Sequence, residues 1–456
     1  MSRAAWIALA VVASGIGLGG PAEGALDAAK EVLAKTDQEL DQLGRIRLYQ
    51  GGKFTLKTSG ELRYRLELRN DFNFNDASYE DDALHLLRTR LGIEAAMPSR
   101  IKVFVQGQDA ESFASSSLNQ SNAFVDRLDL RQLYVELNSP WKEAPVKLKV
   151  GRQELSYGEQ RFVGAFDWSN VARVFDAIKL SAAPTDWAQV DIWFSQPVLI
   201  NRVKADSADH EDNFYGVYTS VKPIRDHVLD TFLFVRHDLD NELVGEIAGH
   251  RGQLKEYTVG NRLRGKHDNL DYGIEWARQF GSRAHENIRA WAWHNELGYT
   301  FIKCALSPRV GMEYNHGSGD DNTSDGDVGN FDNLFPTNHL HYGHIDFASL
   351  RNLDHVEANL SAKPFKPLTL TAKFGWFFLD TNKSAWFNAS QGTIRAARAN
   401  ASTTLGQEID LLAKWQVSKH IDMLLGYAHF RAGAFVKDTG TSDDADFVYW
   451  QTGIKF

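Results

Sequence analysis

Early in the chain, arginines lie two or four residues apart at Arg63, Arg65 and Arg69, and two apart again at Arg88 and Arg90. A spacing of two places side chains on one face of a β-strand. Each guanidinium keeps its charge at physiological pH and can bind a carboxylate through two parallel hydrogen bonds. Charged rings select ions in channels, so a wall of arginines facing a narrow passage would favour anions. Later residues extend this basic set: Lys102, Arg131, Arg152, Arg161 and Arg173.

The same arginines could instead pair with neighbouring carboxylates and only stiffen the wall that carries them. The candidate partners are Glu61, Glu67, Glu94, Asp109 and Glu136. The two interpretations can coexist.

The segments that would position these residues have the periodicity of β-strands. Apolar residues alternate with polar ones in residues 62–69, 87–95, 270–276, 368–378 and 409–417. Roughly eighteen such runs occur, and they extend to ~10–14 residues, the length that crosses a bilayer at a tilt. Trp and Tyr cap the apolar faces, as they do at membrane interfaces. The pattern predicts an all-β fold, a transmembrane antiparallel β-barrel of about 18 strands.

Local breaks in this alternation, around residues 130–137 and after Gly151, indicate β-bulges.

The predicted connections alternate between long and short. The long gaps are 70–85, 110–127, 155–171, 197–212, 239–253, 317–351, 381–405 and 432–445, with 281–285 as a short exception. The gaps between them are turns such as 98–100, 182–185, 223–227, 364–365 and 418–419. Long outer loops and short inner turns are typical of bacterial outer-membrane barrels. The chain ends in Phe456 on an apolar strand face, which resembles the signal that barrel-assembly machinery recognises.

The chain divides into three predicted parts. Residues 1–24 are predicted to be a secretory signal peptide, because Arg3 precedes a short apolar run and small residues follow it. Residues 25–50 are predicted to be a short periplasmic helix or leader, with the helix over 25–43. This helix either packs at the start of the barrel, associates between subunits or partly covers a pore mouth. Residues 51–456 are predicted to form the outer-membrane barrel domain.

Several longer motifs carry a family resemblance. Residues 150–180 read VGRQELSYGEQRFVGAFDWSNVARVFDAIKL. Further motifs are LRQLYVEL at 130–137, GSGDDN at 317–322, FDNLFPTNH at 331–339 and YGHID at 342–346. Together they resemble the alginate export family of outer-membrane β-barrels, and the resemblance covers nearly all of residues 51–456.

The resemblance implies a monomeric barrel of about eighteen strands in the outer membrane of a Gram-negative bacterium. Its Arg-lined, electropositive constriction would pass a polyuronate chain outwards from the periplasm. The predicted pore residues are Arg65, Arg88, Arg90, Arg131, Arg152, Arg161, Arg173, Asp167, Asn170 and Asp176. The acidic and amide members of this set would weaken the binding of the polymer's carboxylates to the arginines, so that the polymer can move through the pore.

One departure from the family concerns the last inner turn. A long periplasmic turn is thought to plug the lumen in characterised exporters, whereas residues 418–419 form a tight turn here. The N-terminal helix is a candidate substitute for that plug.

Two weaker patterns could indicate metal sites. A calcium site could use the following aspartates: Asp320, Asp321, Asp325, Asp327 and Asp332. A solvated acidic loop is the alternative. His339, His341, His344 and Asp346 could also bind a metal, but their irregular spacing favours a role in loop packing.

The motifs of soluble enzymes do not stand out in the chain. Nucleophile, P-loop and dinucleotide motifs are not recognisable, so the sequence predicts no enzyme and no cofactor. A net charge of −9 argues against nucleic acid as a partner. The expected partners are an anionic polysaccharide or small anions, outer-membrane lipid, the barrel-assembly machinery through Phe456, and periplasmic export proteins. Three functions remain open: export of an anionic polysaccharide, a general or anion-preferring porin, and a barrel sheath for an electron-transfer partner.

Overall fold

The computed structural model describes residues 22–44, 55–76, 82–98, 100–113, 122–141 and 143–456. Helix α1 (Ala22–Gly44) precedes a closed antiparallel sheet. Two of the 20 strands in this sheet, Ser207–Ala208 and Asp327–Val328, are two residues long and belong to loops. The remaining strands form the wall: β1 (Thr55–Asn70), β2 (Asp82–Ala96), β3 (Ile101–Ser112), β4 (Asp126–Asn138), β5 (Val146–Gln153), β6 (Phe175–Thr185), β7 (Ala188–Leu199), β8 (Asp212–Val221), β9 (His227–Val244), β10 (Arg251–His267), β11 (Leu270–Arg283), β12 (Glu286–Thr300), β13 (Arg309–Gly317), β14 (Leu353–Phe365), β15 (Leu368–Phe378), β16 (Thr404–Gln416), β17 (Ile421–Ala432) and β18 (Ala445–Lys455).

The loops contain a few short elements. They are a one-turn helix at Asn338–Leu340, a small hairpin of Trp386–Phe387 with Thr393–Arg395, and helix α2 (Ala434–Thr439). None of the described helices is long and apolar enough to cross a membrane.

The seam between the first and last strands closes the barrel. β1 pairs with β18 in a register that runs from Glu61 opposite Lys455 to Asn70 opposite Asp446. Gly60 and Phe456 exchange two backbone hydrogen bonds, each 3.0 Å long. A Cβ added at Gly60 would lie 2.2 Å from the Phe456 ring, so the ring packs directly across the glycine. Among the described strands of the wall, closure leaves no unpaired edge, and the predicted eighteen-stranded barrel is confirmed.

The wall has an apolar outer side and a mainly polar inner side. In β12, exposed and buried side chains alternate: Trp291 and Trp293 are exposed, and Ala292 and His294 are buried. In β2, Leu91 and Ile93 face outwards, whereas Arg88 and Arg90 face inwards and are almost fully buried. Exposed apolar side chains in alternation are the expected surface for lipid contact. The inward direction predicted for Arg88 and Arg90 therefore matches their burial.

The long outer loops and short inner turns are present, and one outer connection is shorter than predicted. The outer connection between β9 and β10 spans only residues 245–250, because the hairpin pairing resumes at Leu243 opposite Gly252 after an irregularity. The inner connection between β12 and β13 is longer than a tight turn and spans residues 301–308. The longest outer connections are 154–174, 318–352 and 379–403.

The predicted break at residues 130–137 is a bulge in β4. The pairing with β3 jumps from Gln132 opposite Gln106 to Leu130 opposite Gly107, which leaves Arg131 as the extra residue. A bulge re-aims side chains relative to a regular strand. Arg131 is accordingly buried, although the exposed Leu133 two residues later faces outwards.

The second predicted break lies at Gly151 in β5, which has φ of +123°. A Cβ at this position would lie 2.2 Å from the carbonyl oxygen of Leu133. We expect Gly151→Ala to lower the free energy of unfolding by about 2 kcal/mol, because both the backbone angle and the contact are unfavourable for alanine. Urea unfolding of the refolded barrel measures this change. Gly107→Ala is the control, since its Cβ would be 3.8 Å from the nearest atom; an equal loss in both variants would contradict the expectation.

Helix α1 lies against the inner end of the barrel beside the last inner turn. Asp41 forms ion pairs with Lys419 and with His420, the latter at 3.0 Å, and Ser418 donates to Asp37 at 2.6 Å. The helix predicted over 25–43 is therefore confirmed, and it contacts the tight turn that departs from the family. The predicted signal peptide, residues 1–24, falls almost entirely outside the described residues.

Candidate functional site

Two outer loops fold back into the barrel and bind each other. We call residues 154–174 the first lumen loop and residues 318–352 the second lumen loop. Gly164 donates to the carbonyl of Phe335 at 2.8 Å, and Phe335 donates to the carbonyl of Phe162 at 2.9 Å. Phe162 and Phe331 are buried between the two segments. The loops consequently form one body inside the barrel.

The first lumen loop rests on four inward arginines of β1 and β2, which we call the arginine wall: Arg63, Arg65, Arg88 and Arg90. Arg63 donates to the carbonyls of Asp167 at 2.6 Å and of Ser169 at 3.0 Å. The Asp167 carboxylate pairs with Arg88 at 3.1 Å and with Arg90 at 2.8 Å. Part of the hydrogen-bonding capacity of this wall is thus taken up by a carboxylate and backbone carbonyls of the first lumen loop.

Arg65 connects the arginine wall to both lumen loops through Trp168. The guanidinium donates to the Trp168 carbonyl at 2.6 Å and lies 3.8 Å from the centre of the indole ring. The indole stacks on His339 of the second lumen loop, with ring centres 3.7 Å apart. Burial and the nearby Arg65 charge lower the pKa of His339 well below its usual value. A neutral imidazole can stack there without adding positive charge.

Asn170 attaches the first lumen loop to the barrel. Its side chain is fully buried and donates to three backbone carbonyls, those of Leu87, Glu111 and Phe124, at 3.2, 3.1 and 2.9 Å. Its side-chain oxygen accepts a hydrogen bond from Arg63 at 3.2 Å. Because buried polar groups are costly to leave unpaired, Asn170 stabilises this one position of the loop.

The Asp167 carboxylate is held in its charged form. Burial alone would raise its pKa, but the positive charges of Arg88, Arg90 and Arg63 lower the pKa well below the usual value. The ion pairs therefore persist over the whole pH range above the ordinary pKa of an aspartate, and they weaken only in strong acid.

A nearby part of the wall, three strands from β1 across the seam, holds the second lumen loop with a carboxylate. Glu408 of β16 is buried and accepts hydrogen bonds from the backbone of His344 at 2.6 Å and of Ile345 at 3.1 Å. Arginines of β1 and β2 thus bind carbonyls of the first lumen loop, and a carboxylate of β16 binds amide groups of the second. This complementarity fixes both loops in the barrel.

Arg161 and Arg173 belong to the first lumen loop itself. Arg161 is buried, contacts Glu275 at 3.4 Å and lies 2.8 Å from the imidazole of His294. Arg173 donates to the carbonyls of Gly164 and Pro336, and burial, with the nearby Arg236 charge, lowers its pKa to about 10. Both hold the two lumen loops in place.

Arg131 also lies on the lumen side of the barrel wall, where it pairs with Glu154 at 2.6 Å.

Arg152 and Asp176 form a bidentate ion pair, with distances of 2.8 and 3.1 Å, on the other side of the wall. The register sets Arg152 beside Leu133, and Ile178 follows Asp176 on the same face; both apolar residues are exposed. Paired residues in a ladder share a face. The structure therefore places Arg152 and Asp176 on the outer side of the barrel wall. Their predicted place in the lumen is wrong for this reason.

The arginines of the arginine wall also pair with neighbouring carboxylates of the barrel, which was the alternative to a role in the pore. Arg88 contacts Glu61 at 2.5 Å, and Arg65 contacts Glu67 at 2.7 Å. The side chains of Arg65 and Arg88 are only 1% exposed. An arginine-lined conducting pore stays a prediction.

The predicted calcium ligands do not converge among the described residues. Asp320 accepts backbone hydrogen bonds within its own loop, Asp327 pairs with Arg289, and Asp332 pairs with Arg236. Of the described His, Cys, Asp and Glu residues, those grouped closely enough for a metal include none of Asp320, Asp321, Asp325, Asp327 and Asp332. Residues 321–325 of this acidic stretch are exposed, as expected for a solvated acidic loop, whereas the later part of residues 318–352 enters the lumen. The histidines of this loop pack internally, with His339 bonded to Asp346 and to His344.

Sequence reasoning missed three residues at the centre of the site. Arg63 was placed on the correct face but was not among the predicted pore residues, and Trp168 and Glu408 were not singled out. Trp168 lies inside the FDWSN motif, so an aromatic next to Asp167 was the available signal. Glu408 accepts hydrogen bonds from backbone amides of the second lumen loop. Every residue except proline has such an amide, so residue types could not predict this contact.

Comparison with known proteins agrees with this architecture. A family model described as alginate export matches residues 54–449. No curated protein sequence matches the chain. The fold is similar to that of OpdQ from Pseudomonas aeruginosa, with a TM-score of 0.58, 13% identity and coverage of 88% of this chain and 97% of that one. It is also similar to OccK11 (OpdR) of the same organism, with a TM-score of 0.55, 12% identity and coverage of 90% and 99%.

A third similar structure is the outer membrane protein opdK from Pseudomonas aeruginosa, with a TM-score of 0.56, 10% identity and coverage of 88% and 98%. At such low identities these likenesses concern the fold, which is that of outer-membrane β-barrel porins. The match over most of the chain, together with the closed barrel, shows that the protein belongs to the alginate export family of outer-membrane channels.

Proposed function

We propose that this channel passes an anionic polysaccharide across the outer membrane, along the arginine wall. The observation that carries the proposal is the way in which Arg88 and Arg90 bind the Asp167 carboxylate at 3.1 and 2.8 Å. These guanidinium groups are arranged to bind a carboxylate inside the lumen. A chain of uronate residues presents carboxylates and ring oxygens, which are acceptors of the same kind as those of Asp167 and Ser169.

In this proposal the first lumen loop occupies the path of the polymer. Asp167 and the neighbouring carbonyls take the positions that uronate groups would take, so the polymer and the loop compete for the arginine wall. Passage requires the residues around Asp167 to move aside. The loop then shields the arginines from small anions when polymer is absent.

An anion-preferring porin for small solutes is the second candidate, because the same arginines would bind small carboxylates. The sheath for an electron-transfer partner receives no support, because the two lumen loops occupy the interior.

Block of ion current by oligosaccharides separates these functions. We expect an oligouronate added to a planar bilayer containing the purified channel to interrupt the current, whereas a neutral oligosaccharide of equal length does not. Small uronic acids alone should interrupt it far less, because a chain contacts several guanidinium groups at once. Equal block by charged and neutral chains would contradict the proposal. Block by the monomer as strong as that by the chain would favour the small-solute porin.

A further inference from the structure

Three carboxylates that belong neither to the arginine wall nor to the two lumen loops meet at the outer end of the barrel. Asp126 and Asp129 lie at the start of β4, and Asp206 lies in the outer loop between β7 and β8. Each offers a carboxylate oxygen, and these oxygens all lie within 4.8 Å of one another. We call these residues the Asp126 cluster. It joins residues far apart in sequence across two separate elements.

Asp126 has an unpartnered carboxylate oxygen at this point. The residue is only 3% exposed, and its Oδ1 has no hydrogen-bond partner. Since both carboxylate oxygens share one carbon, Oδ1 lies at or next to the place where the three groups meet. A buried, charged oxygen without a partner is expensive unless a cation or a donor satisfies it.

The arginines nearby are already paired elsewhere. Arg152 contacts Asp206 only at its backbone carbonyl, at 3.2 Å, while its charge is paired with Asp176. Arg131 pairs with Glu154, and Arg127 with Glu111. In the described part of the chain, no salt bridge joins Asp126, Asp129 or Asp206 to a cationic side chain. The cluster therefore keeps an excess of negative charge.

We propose that the Asp126 cluster binds one Ca²⁺ ion. All of its ligand atoms are carboxylate oxygens, which hard divalent cations prefer. Calcium–oxygen distances of about 2.3–2.6 Å allow ligands on opposite sides of one ion to be roughly 5 Å apart. The smaller Mg²⁺ demands shorter distances and a nearly ideal octahedron, which fits a spread cluster less well.

Binding would attach the outer loop of residues 200–211 to the wall. This loop contacts β4 through the Asp206 amide, which donates to Asp129 at 2.6 Å. Residues 201–205 of the loop are exposed. A cation held by Asp206 on one side and Asp126 on the other would limit the opening of this loop.

Calorimetry on the full-length, detergent-solubilised protein tests the site. After treatment with a chelator, we expect one Ca²⁺ to bind with a Kd in the range of about 10⁻⁴–10⁻³ M, typical of extracellular sites. Asp126→Asn and Asp206→Asn should each weaken binding at least about tenfold. Asp321→Asn is the matched control, because it removes an exposed carboxylate from another outer loop. Binding unchanged in Asp126→Asn, or no saturable binding in the unmodified protein, would overturn the proposal.

Limited proteolysis locates the effect without a substitution. Trypsin can cut after Arg202 and Lys204, which are exposed in the 200–211 loop. At Ca²⁺ about tenfold above the Kd, this cleavage should slow about tenfold, because the ion binds only the closed loop. Cleavage after the exposed Lys303 in the same digest reports the activity of trypsin itself. Equal slowing at both places, or none at Lys204, would also overturn the proposal.

Discussion

The double variant Asp167→Ala/Asn170→Ala is expected to keep the channel open for a much larger fraction of the time. Asp167 pairs with Arg88 and Arg90, and Asn170 donates to three backbone carbonyls of the wall and loops. Hydrogen bonds to charged groups contribute about 1.5–3 kcal/mol each. Losing two such interactions should raise the open fraction by about tenfold or more, since each 1.4 kcal/mol is a factor of ten.

Single-channel recording in planar bilayers measures the open fraction. The matched control is Asp321→Ala/Asn322→Ala, which removes the same residue types from exposed positions of the second lumen loop. Both proteins should show the heat-dependent gel migration of a folded barrel before they are compared. An open fraction in the double variant equal to that of the control would mean that residues 166–170 do not obstruct the passage.

Neutralising the arginine wall is expected to lower the anion-to-cation permeability ratio of the channel. In the open double variant, Arg90 loses Asp167, its nearest carboxylate, and faces the passage with a charge that is compensated only by the more distant Glu61, whereas Arg88 stays paired with Glu61. One charge about 8 Å from a passing ion, at an effective dielectric constant of about 20, is worth about 2 kcal/mol before salt screening. Adding Arg90→Gln to the open variant should therefore lower the anion-to-cation permeability ratio by roughly threefold to tenfold.

The reversal potential in a salt gradient gives this ratio directly. Arg225→Gln in the same open background is the control, because Arg225 carries an equal charge and lies exposed on an inner turn. An open variant that prefers cations, or equal ratios after the Arg90 and Arg225 substitutions, would rule out the arginine wall as the selective element.

The strands were predictable because a barrel wall between lipid and a polar lumen needs strict alternation. That requirement is met in β2 from Leu87 to Ile93, so the inward direction of Arg88 and Arg90 could be derived from Leu91 and Ile93, although Leu84 and Leu86 are buried on the same inward face. Arg131 shows where local irregularity intervenes, since a bulge reverses its direction. Arg152 shows the limit of motif reasoning, because membership of a shared motif does not say which side of the wall a residue faces.

The contacts inside the lumen could not be derived in this way. Arg63 meets the Asp167 carbonyl across a sequence separation of 104 residues. Such a contact depends on the direction in which a long loop folds, and most of its hydrogen bonds use backbone carbonyls that every residue possesses. The sequence therefore indicated which residue types line the barrel, but not that the chain supplies its own acceptors for them.

The seam described for Gly60 and Phe456 has a consequence for the order of events during biogenesis. Phe456 is the residue predicted to be read by the assembly machinery, and in the closed barrel its backbone and ring are engaged by β1. Strand pairing at the seam and release from the machinery would then compete for one residue. A closed barrel would then no longer offer this predicted recognition residue, which would make membrane insertion irreversible.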